Sequence, residues 1–100
     1  MDAVFRALAD PTRRALLDEL YREDGQSLTA LERGFPISRI AVMKHLRMLE
    51  GAGLVRSTRH GRESIWSLEQ RRLEEARHYL DLISKQWDDA LGRLRELVED

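Results

Sequence analysis

Cysteine is absent from this chain of 100 residues, so disulfide bonds, thiolate metal sites and cysteine nucleophiles are excluded. The sequence also lacks an apolar run long enough to cross a membrane, and charged residues interrupt the opening segment 1–6 at once, unlike a secretory signal peptide. We therefore expect a cytoplasmic protein without membrane contact. The three histidines are scattered and form no Ser/His/Asp or metal constellation, so we expect no catalytic residues and no enzyme.

Acidic residues are almost missing from the middle of the chain. Segment 33–62 holds seven Lys and Arg residues against one acid, Glu50, and carries a charge of +6, whereas the rest carries −7 and the whole chain −1. Such asymmetry concentrates positive potential where phosphates can sit. The hydrophobic content of 42% and the charged content of 35% are typical of a folded protein, and the length suits one domain over residues 1–100.

Three helices are predicted before residue 34. Apolar residues at positions 4, 5 and 8 indicate a short first helix. The second begins at the N-cap Asp10, with Pro11 in its first turn, and runs to about residue 23. Ser27 is the expected N-cap of a brief third helix, although Thr29 with Glu32 forms a rival capping signature one register later.

The segment Ser38 to Glu50 is the fourth predicted helix. Its N-cap is Ser38, and apolar residues then recur at helical spacing along one side. The other side is basic, which suits either an ordinary surface helix or a helix that lies in a DNA groove. With the third helix it predicts a helix-turn-helix over residues 27–50. The apolar side comprises Ala41, Val42, Leu46 and Leu49, and the basic side comprises Arg39, Met43, Lys44 and Arg47, with His45 near the edge.

A β-hairpin is predicted directly after this helix, over residues 54–68. Gly53 is well placed for a left-handed C-cap, and segments 54–59 and 63–68 then have the pattern of short strands. The glycine in the intervening segment 60–62 meets the requirement of a tight hairpin turn. A hairpin in this position is a wing, and we define its wing tip as the cationic residues Arg59, His60 and Arg62.

One long helix is predicted from about residue 71 to residue 99. Its apolar stripe extends over about 40 Å at 1.5 Å per residue, which is more than the preceding body can cover. The same stripe on a second copy supplies the missing cover and gives an isologous dimer, whereas cover by the first helix and the body in a monomer is the alternative. We call this the α5 stripe, because the predicted helix is the fifth in chain order, and it comprises Leu73, Ala76, Leu80, Ile83, Trp87, Leu91, Leu94 and Val98. The predicted dimer interface comprises Val4, Leu73, Leu80, Ile83, Trp87, Leu91 and Leu94.

These segments together resemble the ArsR-type winged helix-turn-helix repressors over nearly the whole chain. Segment 7–14 resembles the opening of their second helix, segments 35–39 and 41–49 resemble their recognition helix, and segments 52–55 and 61–62 resemble the wing. The resemblance implies a mainly α fold with a small β-hairpin, and a homodimeric repressor that leaves its operator when a signal arrives. Ile40 and Met43 depart from the family pattern, in which many members have proline and serine.

Many family members sense metals, through cysteine pairs on the recognition helix or through histidine and carboxylates on the last helix. Cysteine is missing here, but Glu75, His78 and Asp81 are spaced i, i+3 and i+6, so an N/O site shared across a dimer is chemically possible. A solvated helix face with one histidine is the alternative that we prefer, and we expect no metal and no cofactor. The closer resemblance is to cysteine-free members whose last helix resembles segment 86–91, and these have no generally recognised inducer site.

The DNA interpretation gives the recognition-helix side chains separate roles. Ser38 and Arg39 at its N-terminus should meet phosphates or base edges. In the major groove, Lys44 suits guanine O6 and N7 and Met43 suits a thymine methyl group, with His45 as the third candidate. Arg47 should hold a backbone phosphate.

The wing tip should grip the flanking minor groove or its phosphates. Arg13 and Arg14 suit either a phosphate contact or intramolecular pairing with an acid such as Asp10 or Asp18, and we favour the intramolecular role. The expected partners are double-stranded DNA with an inverted-repeat operator and a second copy of the chain. A winged-helix module that binds another protein instead of an operator is the alternative function.

Overall fold

The structure is a computed structural model that describes the backbone of residues 1–99 and the side chains of residues 1–98. The predicted domain end at Asp100 lies outside the described residues. The observed architecture confirms the predicted fold class, mainly α with a small β-hairpin. In chain order the elements of the described part are α1 (Asp2–Leu8), α2 (Pro11–Arg22), β1 (Gln26–Ser27), α3 (Leu28–Arg33), α4 (Arg39–Gly51), β2 (Val55–His60), β3 (Glu63–Leu68) and α5 (Gln70–Glu99).

Helices α2, α3 and α4 begin at the predicted N-caps. In each case the side-chain oxygen of the cap accepts a backbone N–H of the first helical turn, which would otherwise lack a partner. The rival capping register at Thr29 is therefore wrong. The hydrogen bonds run from Arg13 N to Asp10 Oδ2 (3.0 Å), from Ala30 N to Ser27 Oγ (3.1 Å) and from Ala41 N to Ser38 Oγ (3.1 Å).

A third strand, β1, joins the hairpin and was not predicted. The sheet has the order β1-β3-β2, with Gln26 opposite Trp66 and Ser27 opposite Ile65 in an antiparallel pair. The buried side chain of Gln26 donates to the carbonyl oxygens of Glu23 (2.7 Å) and Glu19 (3.3 Å), which lie at the C-terminal end of α2. This short strand thus ties α2 and α3 to the wing.

Glycine permits the two tight turns that place the wing. At the end of α4, Gly53 has a φ of +76°, and the N–H groups of Gly53 and Leu54 donate to the carbonyls of Glu50 (2.9 Å) and Leu49 (3.0 Å) in a Schellman arrangement. The predicted C-cap at Gly53 is confirmed. At the wing tip, Gly61 has a φ of +63° while no non-glycine residue described has a positive φ, as in a two-residue type II′ hairpin.

The core lies between the helical face of α4, helices α1 to α3, and the sheet. Trp66, Leu16, Leu20 and Leu46 are completely buried in it. Val4 is also in this core and is only 2% exposed in the single chain, so a second copy has almost none of its surface to cover. The prediction that Val4 belongs to a dimer interface is therefore wrong, because its side chain points into its own domain.

Arg13 and Arg14 hold the C-terminal end of α1 onto the start of α2. The Arg13 guanidinium donates to the carbonyls of Ala7 (2.7 Å) and Arg6 (3.0 Å), and that of Arg14 donates to the carbonyl of Leu8 (2.6 Å). The last turn of a helix leaves its carbonyls without partners inside the helix, and of these three only that of Arg6 also accepts a cap N–H, from Ala9 (3.3 Å). The favoured intramolecular role is confirmed, but the partners are backbone carbonyls and not the carboxylates of Asp10 or Asp18.

Helix α5 extends well beyond the body, and the described structure measures 68 × 25 × 22 Å. Its beginning contacts α1, where the rings of Phe5 and Tyr79 lie 5.9 Å apart, and Ala76 is buried. Beyond this contact, most of the α5 stripe is exposed, including Trp87 at 65%. None of the described helices is both long and apolar enough to cross a membrane.

Candidate nucleic-acid interface

Helix α4 presents one side to the core and the opposite side to solvent. Val42, Leu46 and Leu49 are completely buried against the domain. The outer face of α4, defined by the exposed residues Ile40, Lys44, Arg47 and Met48, follows the i, i+4, i+7, i+8 spacing of one helix side. Two of these side chains are apolar, with Ile40 72% exposed and Met48 46% exposed. The predicted basic side omitted both, although their spacing from Lys44 already placed them beside it.

Arg39 braces the start of α4 against α3. Its guanidinium donates to Glu32 Oε2 (3.0 Å) and to Thr29 Oγ1 (3.3 Å), and these contacts cross the turn of the helix-turn-helix. The neighbouring Ser38 is exposed and uses its oxygen as the N-cap acceptor, while its hydroxyl hydrogen remains a donor. The start of α4 therefore holds a fixed cation, Arg39, and an exposed hydroxyl group, Ser38, on the solvent side.

Arg47 connects the outer face of α4 to the wing. Its guanidinium donates to Glu50 (2.8 Å) and lies 5.5 Å from the centre of the Trp66 ring, a cation–π distance. Ser57 on β2 donates to the other oxygen of Glu50 (2.9 Å). The hydrogen bond from Arg47, supported by that from Ser57, outweighs partial burial and holds the pKa of Glu50 below its ordinary value. Helix and wing are thereby fixed relative to each other.

Glu50→Gln is expected to destabilise the domain by about 1 kcal/mol at neutral pH, since it removes the charge and leaves one acceptor oxygen for the two donors Arg47 and Ser57. Because the pKa of Glu50 is lowered by folding, its contribution is present above the unfolded pKa of about 4.3 and disappears as the pH falls through the lower folded value. Urea unfolding of the variant and of the unaltered chain, at neutral pH and at about pH 3, measures this pH-dependent difference in unfolding free energy. A destabilisation that is equally large at neutral pH and at about pH 3 would contradict the assignment.

His45 and Met43 do not reach the outer face of α4. The imidazole of His45 is 24% exposed and its Nδ1 lies 3.8 Å from Asp10 Oδ2, at the start of α2. The backbone N–H of Arg13 chiefly lowers the pKa of Asp10, and His45 adds a smaller contribution. Met43 is half-buried and packs against the core. The structure thus places both predicted groove residues at the edges of the helix.

The wing tip lies on the same side of the domain as the start of α4. Arg39 and Met43 of α4 line one cleft of about 250 Å³ together with Arg62 of the wing tip. Arg62 and His60 are exposed, while the guanidinium of Arg59 folds back and donates to the carbonyl of Gly61 (3.2 Å). The fold therefore brings one cation of α4, Arg39, and one of the wing tip, Arg62, to the same cleft.

The three residues whose spacing suits a metal site, Glu75, His78 and Asp81, lie on α5. Glu75 accepts hydrogen bonds from Arg72 (3.0 Å) and Arg71 (3.5 Å). Desolvation raises the pKa of Glu75, but these two guanidinium groups outweigh it, so the net pKa lies below the ordinary value. Within the described residues, no group of three or more His, Cys, Asp or Glu side chains is arranged to hold a metal ion. The carboxylate of Glu75 instead forms ion pairs with Arg71 and Arg72.

Comparison with known proteins places the chain in a family. A family model described as a helix-turn-helix domain matches residues 8–58. HTH-type transcriptional regulator Rv2034 of Mycobacterium tuberculosis is 34% identical, over 98% of this chain and 88% of its own length. The transcriptional repressor SdpR of Bacillus subtilis is also 34% identical, over 85% of this chain and 94% of its own. The solved ArsR-like transcriptional regulator from Rhodococcus sp. RHA1 is 36% identical, covers 96% of this chain and 90% of its own, and superposes with a TM-score of 0.84.

The fold, the cationic surface and these relatives define a DNA-binding transcriptional regulator with a winged helix-turn-helix. The chain belongs to the ArsR-type repressor family.

Proposed function

We propose that this protein is a homodimeric repressor that binds an inverted-repeat operator in double-stranded DNA. The observation that carries the proposal is the cleft that Arg39 at the start of α4 and Arg62 of the wing tip line together, beside the outer face of α4. Segment 33–62, which forms this surface, carries a charge of +6 although the whole chain carries −1. A local field of this sign attracts the phosphate backbone, while the helix dimensions suit the major groove.

Helix α4 and the wing have different parts in this complex. Lys44 is exposed, and among the described side chains no carboxylate lies within ion-pairing distance of its ammonium group, so it is free to reach guanine O6 and N7. Arg62 is likewise exposed at the wing tip and suits a phosphate or the minor groove. Arg39 and Arg47 are held by Glu32 and Glu50, so they act as positioned phosphate ligands with fixed geometry.

The α5 stripe provides the surface on which the second subunit packs. Leu80, Trp87, Leu91 and Leu94 are all more than half exposed and lie on one side of a helix that projects from the body. An apolar side of this length on a single chain is typical of an interaction surface, and the same stripe on a second copy is self-complementary. The opposite side of α5 is mostly polar, with Leu82 as an exposed apolar exception, and suits contact with water.

Two-fold symmetry then determines the arrangement of the operator. Each α4 enters a major groove, and the two grooves must be on the same side of the duplex. The half-site centres are therefore expected about 34 Å apart, one helical turn, or a multiple of it. The sequence read by one subunit recurs inverted in the other half-site.

Selection of bound fragments from sheared genomic DNA by the purified 100-residue chain tests the proposal. We expect enrichment of a short inverted repeat with the spacing given above, bound by two copies of the chain. A matched selection with Lys44→Ala should lose enrichment at one base pair of each half-site. Enrichment of no common sequence by the unaltered chain would contradict operator binding, and recovery of a single non-repeated site bound by one chain would contradict the dimer.

A further inference from the structure

Ile40 is an apolar side chain in a strongly cationic setting. It is the second residue of α4, it is 72% exposed, and it belongs neither to the buried core nor to the partly buried residues that pack against it. Folding of the domain therefore does not require an isoleucine here. Its exposed position on the outer face of α4 indicates a role in binding rather than in folding.

An apolar groove runs along this part of α4. The groove is open to solvent and has a volume of about 670 Å³; its apolar lining includes Ile40, Met43 and Met48, and the cations around it are Arg39, Lys44 and Arg47. An occupant of this groove must be apolar at its centre and negatively charged at its margins. The major groove of DNA has both properties at a thymine, because the 5-methyl group projects from the base edge between two phosphate backbones.

The place of Ile40 in the helix suits this contact. In helix-turn-helix proteins the N-terminal residues of the recognition helix contact base edges, and Ile40 is in the first turn. Lys44 follows one turn later, about 6 Å along the helix axis, which corresponds to about two base-pair steps of 3.4 Å. Met43, the side chain for which the sequence predicts a thymine contact, is half-buried, whereas Ile40 is open to the groove.

We propose that Ile40 reads the 5-methyl group of one thymine in each operator half-site, about two base pairs from the pair that Lys44 contacts. The proposal rests on the operator-binding function proposed above and adds the chemical group that is recognised. It makes Ile40 a specificity-determining residue.

Replacement of thymine by deoxyuridine tests the contact, because uracil lacks only the methyl group and keeps every hydrogen-bonding atom. Each thymine of the selected operator is replaced in turn, symmetrically in both half-sites. For the unaltered chain we expect one position at which affinity falls about fourfold per half-site and about 15-fold in total, from the loss of one buried methyl group on each side. Thymines outside the half-sites should tolerate the change.

The Ile40→Ala variant completes a double-mutant cycle. Its affinity for the thymine operator should be about 15-fold weaker, and deoxyuridine at the sensitive position should have no further effect. Ile40→Val should retain part of the methyl sensitivity, and Lys44→Ala should retain all of it because Ile40 is unchanged. Alanine favours helix and Ile40 is exposed, so circular dichroism should show the variant folded.

Two results would overturn the proposal while leaving operator binding intact. One is an operator that binds equally well whichever thymine is replaced, although Lys44→Ala weakens binding. The other is full sensitivity to deoxyuridine in Ile40→Ala, which would assign the methyl contact to another side chain. Absence of any sequence-specific binding would instead reject both proposals together.

Discussion

Replacing Trp87 with glutamate is expected to separate the dimer into monomers and to weaken operator binding by about 100-fold or more, since linking two binding modules raises avidity by 10² to 10⁴. Trp87 is 65% exposed in the single chain and lies midway along the exposed part of the α5 stripe, between Ile83 and Leu91. A carboxylate there would be buried without a partner in the dimer, at a cost that the apolar contacts cannot offset. The fold of each chain should be retained, because the substituted side chain lies outside the core.

Leu82→Glu is the matched control for this variant. Leu82 is 48% exposed on the same helix, but at 100° per residue it lies on the far side from the α5 stripe. Light scattering at micromolar concentration should therefore find a dimer for the unaltered chain and for Leu82→Glu, and a monomer for Trp87→Glu. A monomeric unaltered chain, or identical behaviour of the two variants, would contradict the assignment of the interface.

Replacing Trp66 with alanine should have the largest effect on stability, about 3–5 kcal/mol of unfolding free energy. Trp66 is completely buried at the junction of the sheet and α4, and its ring supports the guanidinium of Arg47. In a domain of this size each kcal/mol lowers the melting temperature by about 4–8 °C, so a decrease on the order of 20 °C is expected. The DNA-binding surface formed by the wing and the outer face of α4 should be lost in the same unfolding transition.

Trp66→Phe distinguishes loss of packing from loss of the indole N–H. Within the described residues, Trp66 Nε1 is the one buried side-chain nitrogen or oxygen without a hydrogen-bond partner. Phenylalanine leaves a small cavity but removes this unpaired donor, and the two effects oppose each other. We expect its unfolding free energy to lie within about 1 kcal/mol of the unaltered chain in thermal or urea denaturation. A destabilisation as large as that of Trp66→Ala would show that the N–H has a partner.

Local signals in the sequence predict much of the fold. The caps Asp10, Ser27 and Ser38 and the turn residues Gly53 and Gly61 act through neighbours a few positions away, so the sequence was sufficient to predict them. Strand β1 was missed because it is two residues long and is stabilised by pairing with Ile65 and Trp66, far along the chain. Such pairing leaves no periodicity to detect.

The candidate site was predicted less completely than the fold. Helical spacing separated the buried side of α4 from its outer side, but hydrophobicity alone did not show that Ile40 is exposed and Met43 half-buried. His45 turns towards Asp10 and Val4 enters the core, and both orientations depend on how α1 and α2 pack against α4. Contacts between elements therefore determine which side chains are exposed at the surface. The residue pattern of a single helix does not predict these contacts.

The salt dependence of operator affinity tests the central claim most directly. If three or four cations of each subunit contact phosphate, the logarithm of the association constant should fall against the logarithm of salt concentration with a slope of about −5 to −7. Arg62→Ala should weaken binding to operator and random DNA alike and reduce the slope by about two per dimer, whereas Lys44→Ala should cost about 1–3 kcal/mol per half-site at one base pair. Fluorescence anisotropy on the selected operator measures all three proteins. A slope near zero for the unaltered chain, or affinities unchanged in both variants, would contradict DNA binding by α4 and the wing.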